Sequence, residues 1–268
     1  MKTVGIIAGN GRFPLLAAEE ARREGYRVVA ALVEKEADPS LAKMTDASLW
    51  VKVGELKKLS KFFSSEGVHE AIMAGKIEKV RLLQENVRPD FEMVKVLMKT
   101  RDFKDDSLLK GIADYLHEEG IDLMDSTFFV RDALPGPGVL GKKKPSPEIR
   151  EDLEFGFQMA KSIAGLDIGQ TVIVKKKAVL AVEAIEGTDL AIRRGGELAK
   201  GQVTVVKVAK PNQDMRFDVP AVGMRTLKAL MDVHAKAFGF EAGKTIFLDR
   251  EEFLKTANAK GIAVVGLS

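Results

Sequence analysis

The first half of the chain shows apolar runs of strand length that alternate with stretches of helical apolar spacing. The run TVGIIA at 3–8 is followed by a glycine turn at 9–11 and by leucines and alanines at helical spacing over 13–24. Further strands are predicted at 27–33, around Trp50 and at 70–74, and helices at 56–66, 91–99 and 107–119. Because strands alternate with helices, the pattern predicts a parallel sheet with right-handed crossovers.

The second half begins with a helical pattern and then becomes richer in strands. A helix is predicted over 146–164, and two strands within 167–187 are joined by a turn at lysines 175–177. The prediction continues with a short helix from the EGTD sequence at 186–189, a strand over 202–210, a late helix over 222–239 and short strands near 244–248 and 261–265. The whole chain is therefore predicted to be an α/β protein.

A segment rich in proline and glycine separates the two halves. Four of the nine prolines lie within 132–147, where regular structure is expected to stop. We therefore predict an N-terminal domain at 1–132, a linker at 133–147 and a C-terminal α/β catalytic domain at 148–268. Since linkers of this kind often join domains that enclose a cleft, ligand binding between the halves is expected.

Composition narrows the function classes. With 42 basic and 39 acidic residues the net charge is +3, which is too balanced to indicate a nucleic-acid partner. No cysteine is present, which excludes disulfides and thiolate metal sites and fits a cytoplasmic location. None of the three histidines is spaced as a ligand pair, so a zinc site is not expected. No export signal and no apolar run of roughly 18 residues, the length a membrane span needs, is found.

Two glycine turns in the first half are candidate nucleotide contacts. Gly9, Asn10 and Gly11 follow the first strand and supply two glycines of a dinucleotide fingerprint, while Pro14 stands at the third glycine position. An NAD(P)-dependent oxidoreductase of the Rossmann type is therefore an alternative, weakened by that proline. Gly75 and Lys76 follow the strand at 70–74, at the sheet edge where α/β proteins bind ligands. Each turn is also compatible with a plain connection that binds nothing.

Carboxylates in the second half are the main candidates for chemistry. They lie inside or just beyond apolar strand-like runs, at Glu183, Glu186, Asp189, Asp214 and Asp218. An ionised carboxylate is costly in such a setting unless a cation or hydrogen-bond donors compensate it. Oxygen ligands of this kind suit Mg²⁺ or Mn²⁺, which also bind substrate phosphates. Ordinary turn chemistry is the alternative explanation.

Basic residues in the same region favour a phosphate-bearing ligand. Lys210, Arg193 and Arg194 occur near the carboxylates, and fixed cations stabilise charge on a transferring phosphorus. A network of surface ion pairs, which would contribute little stability and no chemistry, is the alternative.

The motifs DIGQTVIV, AVLAVEAIEGTDLAIRR and KPNQDMRFDVPAVG, together with GIIAGNGRFP, strongly resemble the LpxI family of UDP-2,3-diacylglucosamine pyrophosphatases of lipid A synthesis. The resemblance runs nearly end to end. It implies a Rossmann-like N-terminal domain, a second α/β domain and a lipid-linked sugar nucleotide bound between them. The implied reaction is Mg²⁺-dependent attack of water on the α-phosphorus, which releases UMP and 2,3-diacylglucosamine 1-phosphate, lipid X.

The resemblance also implies roles for individual residues. Asp214 and Asp218 would hold the metal or orient the water, and Asp218 is favoured because the proline of DVP is expected to fix an extended backbone there. Glu186 and Asp189 would complete the catalytic group. The substrate would be bound by Gly9, Asn10, Gly11, Gly75, Lys76, Gln170, Thr188, Arg193, Arg194, Lys210 and Gln213.

The acyl chains of such a substrate need an apolar surface. The helix at 91–99, or Leu134 and Val139 near the linker, are alternative candidates, although such side chains are more often core. The substrate would be taken up by transient contact with the inner membrane surface, and a homodimer is a further expectation. A binding module without catalytic activity remains the other alternative.

Overall fold

A computed structural model describes residues 1–77, 88–100 and 105–268, with only the backbone described at 105 and 106. The chain divides into two compact units. The first unit comprises Met1–Val130 together with Asp214–Asp218, and the second comprises Arg131–Gln213 together with Val219–Ser268. The domain boundaries predicted from the proline-rich segment stay a prediction.

The described part of the first unit is built on a parallel sheet. Its strands are β1 (Thr3–Ala8), β2 (Arg27–Val33), β3 (Ala47–Val51), β4 (Glu70–Ala74) and β5 (Asp122–Leu123), and its helices are α1 (Phe13–Arg23), α2 (Leu56–Ser65), α3 (Phe91–Lys99) and α4 (Asp105–Glu118), with a 3₁₀ turn at Pro39–Lys43. The strand order is β3-β2-β1-β4-β5, and all pairs are parallel. The predicted α/β architecture is confirmed.

The strand β2 shows why this sheet forms. Its sequence RVVAALV is apolar after the first residue, and those six residues are buried. Such a continuous apolar run is typical of a parallel strand covered on both faces. The chain passes from β1 to β2 and β3 on one side of β1, and β4 lies on the other side. A topological switch point therefore lies between β1 and β4. The two predicted glycine turns directly follow these two strands.

The segment Asp214–Asp218 is anchored within the first unit. The backbone N–H of Ser126 donates to the carbonyl of Met215 at 2.8 Å, and the Ser126 hydroxyl donates to the carbonyl of Arg216 at 2.5 Å. Phe217 is buried in the same apolar cluster as Val51 and Leu116. A side chain from late in the sequence therefore completes the core of the first unit.

The second unit contains a mixed sheet between helices. Its strands are β6 (Gly138–Val139), β7 (Thr171–Lys175), β8 (Ala178–Val182), β9 (Thr204–Lys207), β10 (Ala221–Val222), β11 (Ala237–Glu241), β12 (Ile246–Phe247) and β13 (Ala263–Leu267), and its helices are α5 (Pro147–Gly165), α6 (Thr188–Leu198), α7 (Met224–Asp232) and α8 (Arg250–Ala259). The main sheet has the order β6-β13-β11-β9-β7-β8, and β10 pairs with β12. A 3₁₀ turn at Arg131–Ala133 precedes β6.

The main sheet of the second unit has an apolar cluster on each face. One cluster joins Leu153 and Ala160 of α5 to alternate residues of β7 and β9 such as Val174 and Val206. The other joins the neighbouring residues Ile173 and Val205 to α6, α7 and α8. Because successive strand residues point to opposite faces, the same strands supply both cores.

One sequence prediction in the second unit is wrong, and one helix is missing from the prediction. The late helix predicted over 222–239 ends at Asp232, and its last three residues belong to β11, a strand in the interior of the sheet. His234 has a φ of 50°, a left-handed conformation that ends the helical hydrogen-bond pattern. Helix α8 was not predicted, although the strands before and after it were.

The predicted hairpin is confirmed: Lys176 and Lys177 have φ of 52° and 58°, as a tight hairpin turn requires.

Candidate functional site

Several strand ends of the second unit meet at one edge of its sheet. β9 and β11 run parallel, with Lys207 opposite Phe240 near their carboxyl ends. β7 is antiparallel to β9 and starts at the same edge, since Thr171 pairs with Lys207. β8 returns to this edge and ends with Val182 opposite Val172. We call this the polar edge of the second unit, because Lys207, Glu241 and Glu183 lie at or directly after these strand ends.

A buried lysine lies at the centre of the polar edge. The side chain of Lys207 is 8% exposed, and its Nζ donates to Thr188 Oγ1 at 2.8 Å. Thr188 Oγ1 in turn donates to Glu183 Oε1 at 2.8 Å, and Lys207 Nζ lies 3.7 Å from Glu183 Oε2. The predicted substrate contact Thr188 is thus held between an ammonium group and a carboxylate, at the first position of α6.

Glu186, a predicted catalytic carboxylate, forms an ion pair beside this cluster. Arg194 donates to Glu186 Oε1 at 2.6 Å and to the carbonyl of Val182 at 2.8 Å. Burial acts to raise the pKa of Glu186, but hydrogen bonds from Arg194 and from the Ala184 backbone outweigh it and lower the pKa. The guanidinium of Arg194 is therefore already engaged with a carboxylate in this structure.

Helices α6 and α7 both begin at glycines, Gly187 and Gly223, which offer no side-chain cap. Asp189 lies in the first turn of α6, and its carboxylate is 3.4 Å from Thr226 Oγ1 and 3.6 Å from the guanidinium of Arg225. Both of these partners lie in the first turn of α7. Asp189 therefore links the two helix starts, where backbone N–H groups favour negative charge.

Arg193, a predicted substrate contact, does not join this group. Its guanidinium lies 3.8 Å from Asp232, the last residue of α7, and its side chain is half exposed. It therefore faces the carboxyl end of α7, whereas Thr188 and Asp189 lie near the start of that helix and of α6.

Lys210 and Gln213 follow β9 and are held close to each other. Lys210 Nζ lies 2.7 Å from Asp167 Oδ1, and the Lys210 backbone N–H donates to Gln213 Oε1 at 3.2 Å. The carbonyl of Gln170, another predicted contact, accepts from the N–H of Val208 at 2.9 Å. The turn before β7 is tight, because a Cβ at Gly169 would stand 1.9 Å from the carbonyl oxygen of Glu183.

The predicted metal carboxylates Asp214 and Asp218 belong to the first unit. Asp214 accepts from Arg216 Nη2 at 2.7 Å and from the Arg216 backbone N–H at 3.0 Å. The Arg216 side chain is the main cause that lowers the pKa of Asp214, with burial acting in the opposite sense. Asp214 is therefore ionised near neutral pH.

The prediction of an extended backbone at Asp218 is wrong. Its φ is 52°, in the left-handed region. The proline is Pro220, so its steric restriction acts on Val219, the residue directly before it, and leaves Asp218 unrestricted. Among the residues that the structure describes, no group of three or more His, Cys, Asp or Glu side chains is arranged to hold a metal ion.

The two glycine turns of the first unit bind each other at the switch point. Asn10 N–H donates to the Lys76 carbonyl at 2.7 Å, Lys76 N–H donates to the Asn10 carbonyl at 3.2 Å, and Gly9 N–H donates to the Ala74 carbonyl at 2.8 Å. Gly75 has a φ of 84°, and a Cβ there would lie 2.6 Å from the Asn10 carbonyl oxygen. The N–H groups of Gly9 and Asn10 are thus committed to the neighbouring turn, while Gly11 is exposed.

The helix predicted as an acyl-chain contact has an exposed apolar side. In α3, Phe91 is 69% and Met98 82% exposed, whereas Met93 and Val96 are buried. Of the alternative pair near the linker, Val139 is exposed and Leu134 is partly buried. No helix among the described residues is both long and apolar enough to cross a membrane.

Several polar residues at these sites were not predicted from sequence. They form buried or partly buried ion pairs in the second unit, and they are Lys207, Asp167, Lys161 and Glu241. The strand sequence VTVVKVAK contained a usable signal, since a charged side chain inside an apolar strand needs a partner whether it is acidic or basic. The physical reason that selects the carboxylates therefore also selects Lys207.

The chain is thus an α/β protein of two units, with polar residues at strand ends in each. Its sequence identifies a particular family: residues 3–133 match the LpxI N-terminal domain and residues 136–265 match the LpxI C-terminal domain. The chain therefore belongs to the LpxI family, and the resemblance predicted from its motifs is confirmed. The prediction that it is an enzyme, a hydrolase, is confirmed with it.

A curated relative matches over the full length. The UDP-2,3-diacylglucosamine pyrophosphatase LpxI of Caulobacter vibrioides is 31% identical over 278 residues, covering 100% of this chain and 98% of that protein.

Solved structures show only a distant likeness. N5-carboxyaminoimidazole ribonucleotide synthetase from Thermotoga maritima has a TM-score of 0.28 and 16% identity, covering 68% of this chain and 41% of that one. The biotin carboxylase domain of the Hydrogenobacter thermophilus 2-oxoglutarate carboxylase has a TM-score of 0.29 and 14% identity, covering 74% and 41%. The chain thus spans about two fifths of the length of each, and similarity at this level carries no argument about function.

Proposed function

We propose that this protein hydrolyses the diphosphate of UDP-2,3-diacylglucosamine in lipid A biosynthesis. In the proposed reaction water attacks the α-phosphorus, the bond from that phosphorus to the bridging oxygen breaks, and UMP and 2,3-diacylglucosamine 1-phosphate, lipid X, are released. The observation that carries the proposal is family membership across both domains, together with a relative of that name aligned over the whole chain.

The polar edge of the second unit has the charges that such a reaction needs. Lys207 and Lys210 are both buried there and are held by carboxylates rather than left mobile. Preorganised cations stabilise the charge that develops on a phosphoryl group at no cost of reorganisation during the reaction. The glycine-started helices α6 and α7 add backbone N–H groups near Thr188 and Asp189. We assign this edge to diphosphate binding.

The carboxylates Asp214 and Asp218 would hold Mg²⁺ or Mn²⁺. They offer hard oxygen donors, and the lowered pKa of Asp214 keeps that group ionised. Magnesium commonly uses only one or two protein carboxylates and completes its shell with waters and substrate phosphates, so a two-carboxylate site fits it. When bound, such an ion polarises a phosphoryl oxygen and acidifies a water. The Arg216 side chain, which now binds Asp214, would compete with the ion for that carboxylate.

The other predicted contacts have supporting roles in this proposal. Glu186 and Asp189 would supply further carboxylates at the polar edge, where the substrate would be bound by Gln170, Thr188, Arg194, Lys210 and Gln213. Arg193 faces the carboxyl end of α7 and is left out of this group. The turns with Gly9, Asn10, Gly11, Gly75 and Lys76 would bind the nucleotide at the switch point of the first unit. Since the N–H groups of Gly9 and Asn10 are already bonded, that contact would rely on Gly11 and on side chains.

We assign the acyl chains to the exposed side of α3. Phe91 and Met98 are largely solvent-exposed, and Lys95 and Lys99 on the same helix suit an anionic membrane surface. The proposal is a cytoplasmic enzyme that makes transient contact with the inner membrane to take up its lipid. A homodimer is part of the same proposal.

The direct test is turnover of UDP-2,3-diacylglucosamine in ¹⁸O water, with and without Mg²⁺, followed by mass spectrometry. We expect Mg²⁺-dependent release of UMP that carries the ¹⁸O label. Label in lipid X instead of UMP would place the attack on the β-phosphorus and contradict the proposal.

The same samples separate the two alternatives. A binding module would retain the sugar nucleotide but release no UMP. An oxidoreductase would bind NAD(P)H, which is detectable by nucleotide fluorescence, but membership in the LpxI family gives that alternative no support.

A further inference from the structure

One peptide group at the polar edge is held on both sides by a partly buried ion pair. Ala209 lies between β9 and Lys210, and its N–H donates to Glu241 Oε2 at 2.9 Å. Its carbonyl accepts from Lys161 Nζ at 3.0 Å. Lys161 Nζ also donates to both carboxylate oxygens of Glu241, at 3.1 and 3.0 Å. The three residues form a closed set of hydrogen bonds, which we call the Ala209 clamp.

The clamp is built from three separate elements. Lys161 comes from α5, Glu241 is the last residue of β11, and Ala209 follows β9. Glu241 has an 8% exposed side chain, and Lys244 in the next turn also binds it at 3.0 Å. Lys161 and Lys244 are the charged groups that lie against Glu241 in the part of the chain that the structure describes. Lys244 does not bind Ala209, so only Lys161 and Glu241 fix the peptide.

A buried ion pair is a poor source of stability. The cost of removing two charges from water is comparable to their mutual attraction, so apolar replacements of similar size are often neutral. A pair that adds little stability yet binds both polar groups of one peptide acts chiefly on geometry. The next residue is Lys210, buried and paired with Asp167, and the second unit's continuous stretch ends three residues later at Gln213.

We propose that Lys161 and Glu241 are positioning residues: by holding the Ala209 peptide they aim Lys210 at the diphosphate. Neither residue touches the reacting atoms. This inference rests on the proposed hydrolysis, because it gives Lys210 its target. A shift of about 1 Å in such a group can cost about 100-fold in rate.

The central test is the double variant Lys161→Met, Glu241→Leu, which removes both charges and leaves no buried charge without a partner. We expect it to fold with a lower Tm, because the buried Ala209 N–H and carbonyl lose their side-chain partners, and to show kcat for UDP-2,3-diacylglucosamine lower by about 100-fold, with KM changed far less. A folded double variant with unaltered kcat would overturn the proposal.

Two matched controls come from the same unit. Asp152 is also a buried carboxylate that accepts from backbone N–H groups, those of Lys176 and Lys177, but it lies at the hairpin turn, away from the polar edge. Asp152→Asn should lower Tm while kcat stays within about two-fold. This result is expected when a substitution destabilises the fold but leaves the catalytic groups in place. Lys244→Met removes a charged partner of Glu241 but leaves the contacts of Ala209 in place. This variant should also keep kcat. Loss of kcat in either control would overturn the assignment to the clamp.

The pH profile provides a readout that a purely structural role would not move. Burial acts to raise the pKa of Glu241, and the hydrogen bonds from Lys161, Lys244 and Ala209 outweigh it, so the pKa lies below its ordinary 4.5. In Lys161→Met the strongest of these bonds is lost and the pKa rises. We expect kcat of this variant to fall as pH decreases, whereas Glu241→Gln should lose activity equally at every pH. Parallel profiles for the two variants would contradict the proposal.

Hydrogen exchange separates failure of the clamp from failure of the proposed function. The Ala209 amide should exchange faster in the double variant Lys161→Met, Glu241→Leu, which removes the acceptor of its N–H, than in Asp152→Asn, whatever the substrate is. If the unaltered protein does not hydrolyse UDP-2,3-diacylglucosamine, the proposed function fails while the exchange still tests the clamp. If hydrolysis occurs but Ala209 exchange is the same in both variants, the clamp fails alone.

Discussion

The two units place polar groups at strand ends by different means. At the switch point of the first unit, the turns after β1 and β4 bond to each other through backbone groups, and glycines permit their close approach. At the polar edge of the second unit, the groups are buried side-chain charges such as Lys207 and Glu183. A backbone contact depends on the space at a glycine, whereas a buried charge depends on its partner. Substitutions in the two regions should therefore fail in different ways.

The largest effect is expected from the carboxylates of the first unit. The double substitution Asp214→Ala, Asp218→Ala should reduce turnover of UDP-2,3-diacylglucosamine by at least about 1,000-fold, since both proposed metal ligands are lost. Steady-state kinetics measure the change, and circular dichroism verifies folding. A folded double variant with ordinary turnover would remove the first unit's carboxylates from the mechanism and leave the chemistry to the polar edge.

The next largest effect tests the buried charge at the polar edge. Lys207→Met should lower kcat/KM by about 100-fold, the range seen when one preorganised donor is removed. It should also lower the free energy of unfolding by about 3 kcal/mol, because Glu183 is left buried without its cation. Urea unfolding and kinetics measure both.

Lys175→Met provides the matched control for that substitution. Lys175 Nζ donates to the carbonyls of Ala199 and Gly201, at the other end of the same sheet. This variant should lose stability but keep kcat/KM within about two-fold, because no buried carboxylate and no proposed substrate contact is involved. An equal loss of kcat/KM in both variants would mean that Lys207 acts only on stability.

A smaller effect is expected from the glycine turns of the first unit. Gly75→Ala should lower the free energy of unfolding by about 3 kcal/mol, because its Cβ would meet the Asn10 carbonyl and its φ is positive. Gly67→Ala has a similar positive φ of 69° but open space around it, and should cost about 1 kcal/mol. Denaturant unfolding measures both. Equal losses would show that the close approach of the two turns carries no strain for a side chain.

The smallest effect concerns an exposed pair of the first unit. His117 Nδ1 lies 2.6 Å from Asp122 Oδ1, and that hydrogen bond raises the pKa of the imidazole above its ordinary 6.5. The pair therefore stabilises the fold fully below pH 6.5, and this contribution is lost as pH rises through the raised pKa. An NMR titration should show the imidazole pKa falling toward its ordinary value in Asp122→Asn, with no measurable change in activity. An unchanged imidazole pKa in this variant would contradict the hydrogen bond between His117 and Asp122.

Local pattern predicted most of the secondary structure, and the failures have a common cause. The start of strand β11 has the pattern of a helix because AFG continues the spacing of α7, and the left-handed His234 lies between the two elements. The anchoring of Asp214–Asp218 in the first unit depends on Phe217 and Ser126, which are far apart in sequence. Neither a distant contact nor a single left-handed residue leaves a periodic signal.

Resemblance to the motifs of a family identified more of the candidate site than reasoning from charge and burial did. The resemblance identified Thr188 and the charge pattern identified Lys210, but their partners Lys207 and Asp167 came only from the structure. Ion pairing depends on which strand ends share an edge, and the order β9-β7-β8 is not readable from residue spacing. Sequence reasoning therefore found groups that a motif contains and missed groups that the fold brings to them.

The placement of Phe217 has a consequence for biosynthesis. Residues 1–130 emerge from the ribosome well before Phe217 is translated, so the first unit cannot complete its apolar interior while it is the only part outside. Co-translational folding should leave this unit incomplete until most of the polypeptide has been made. A gene fragment that stops at residue 130 should consequently yield a product prone to aggregation and proteolysis.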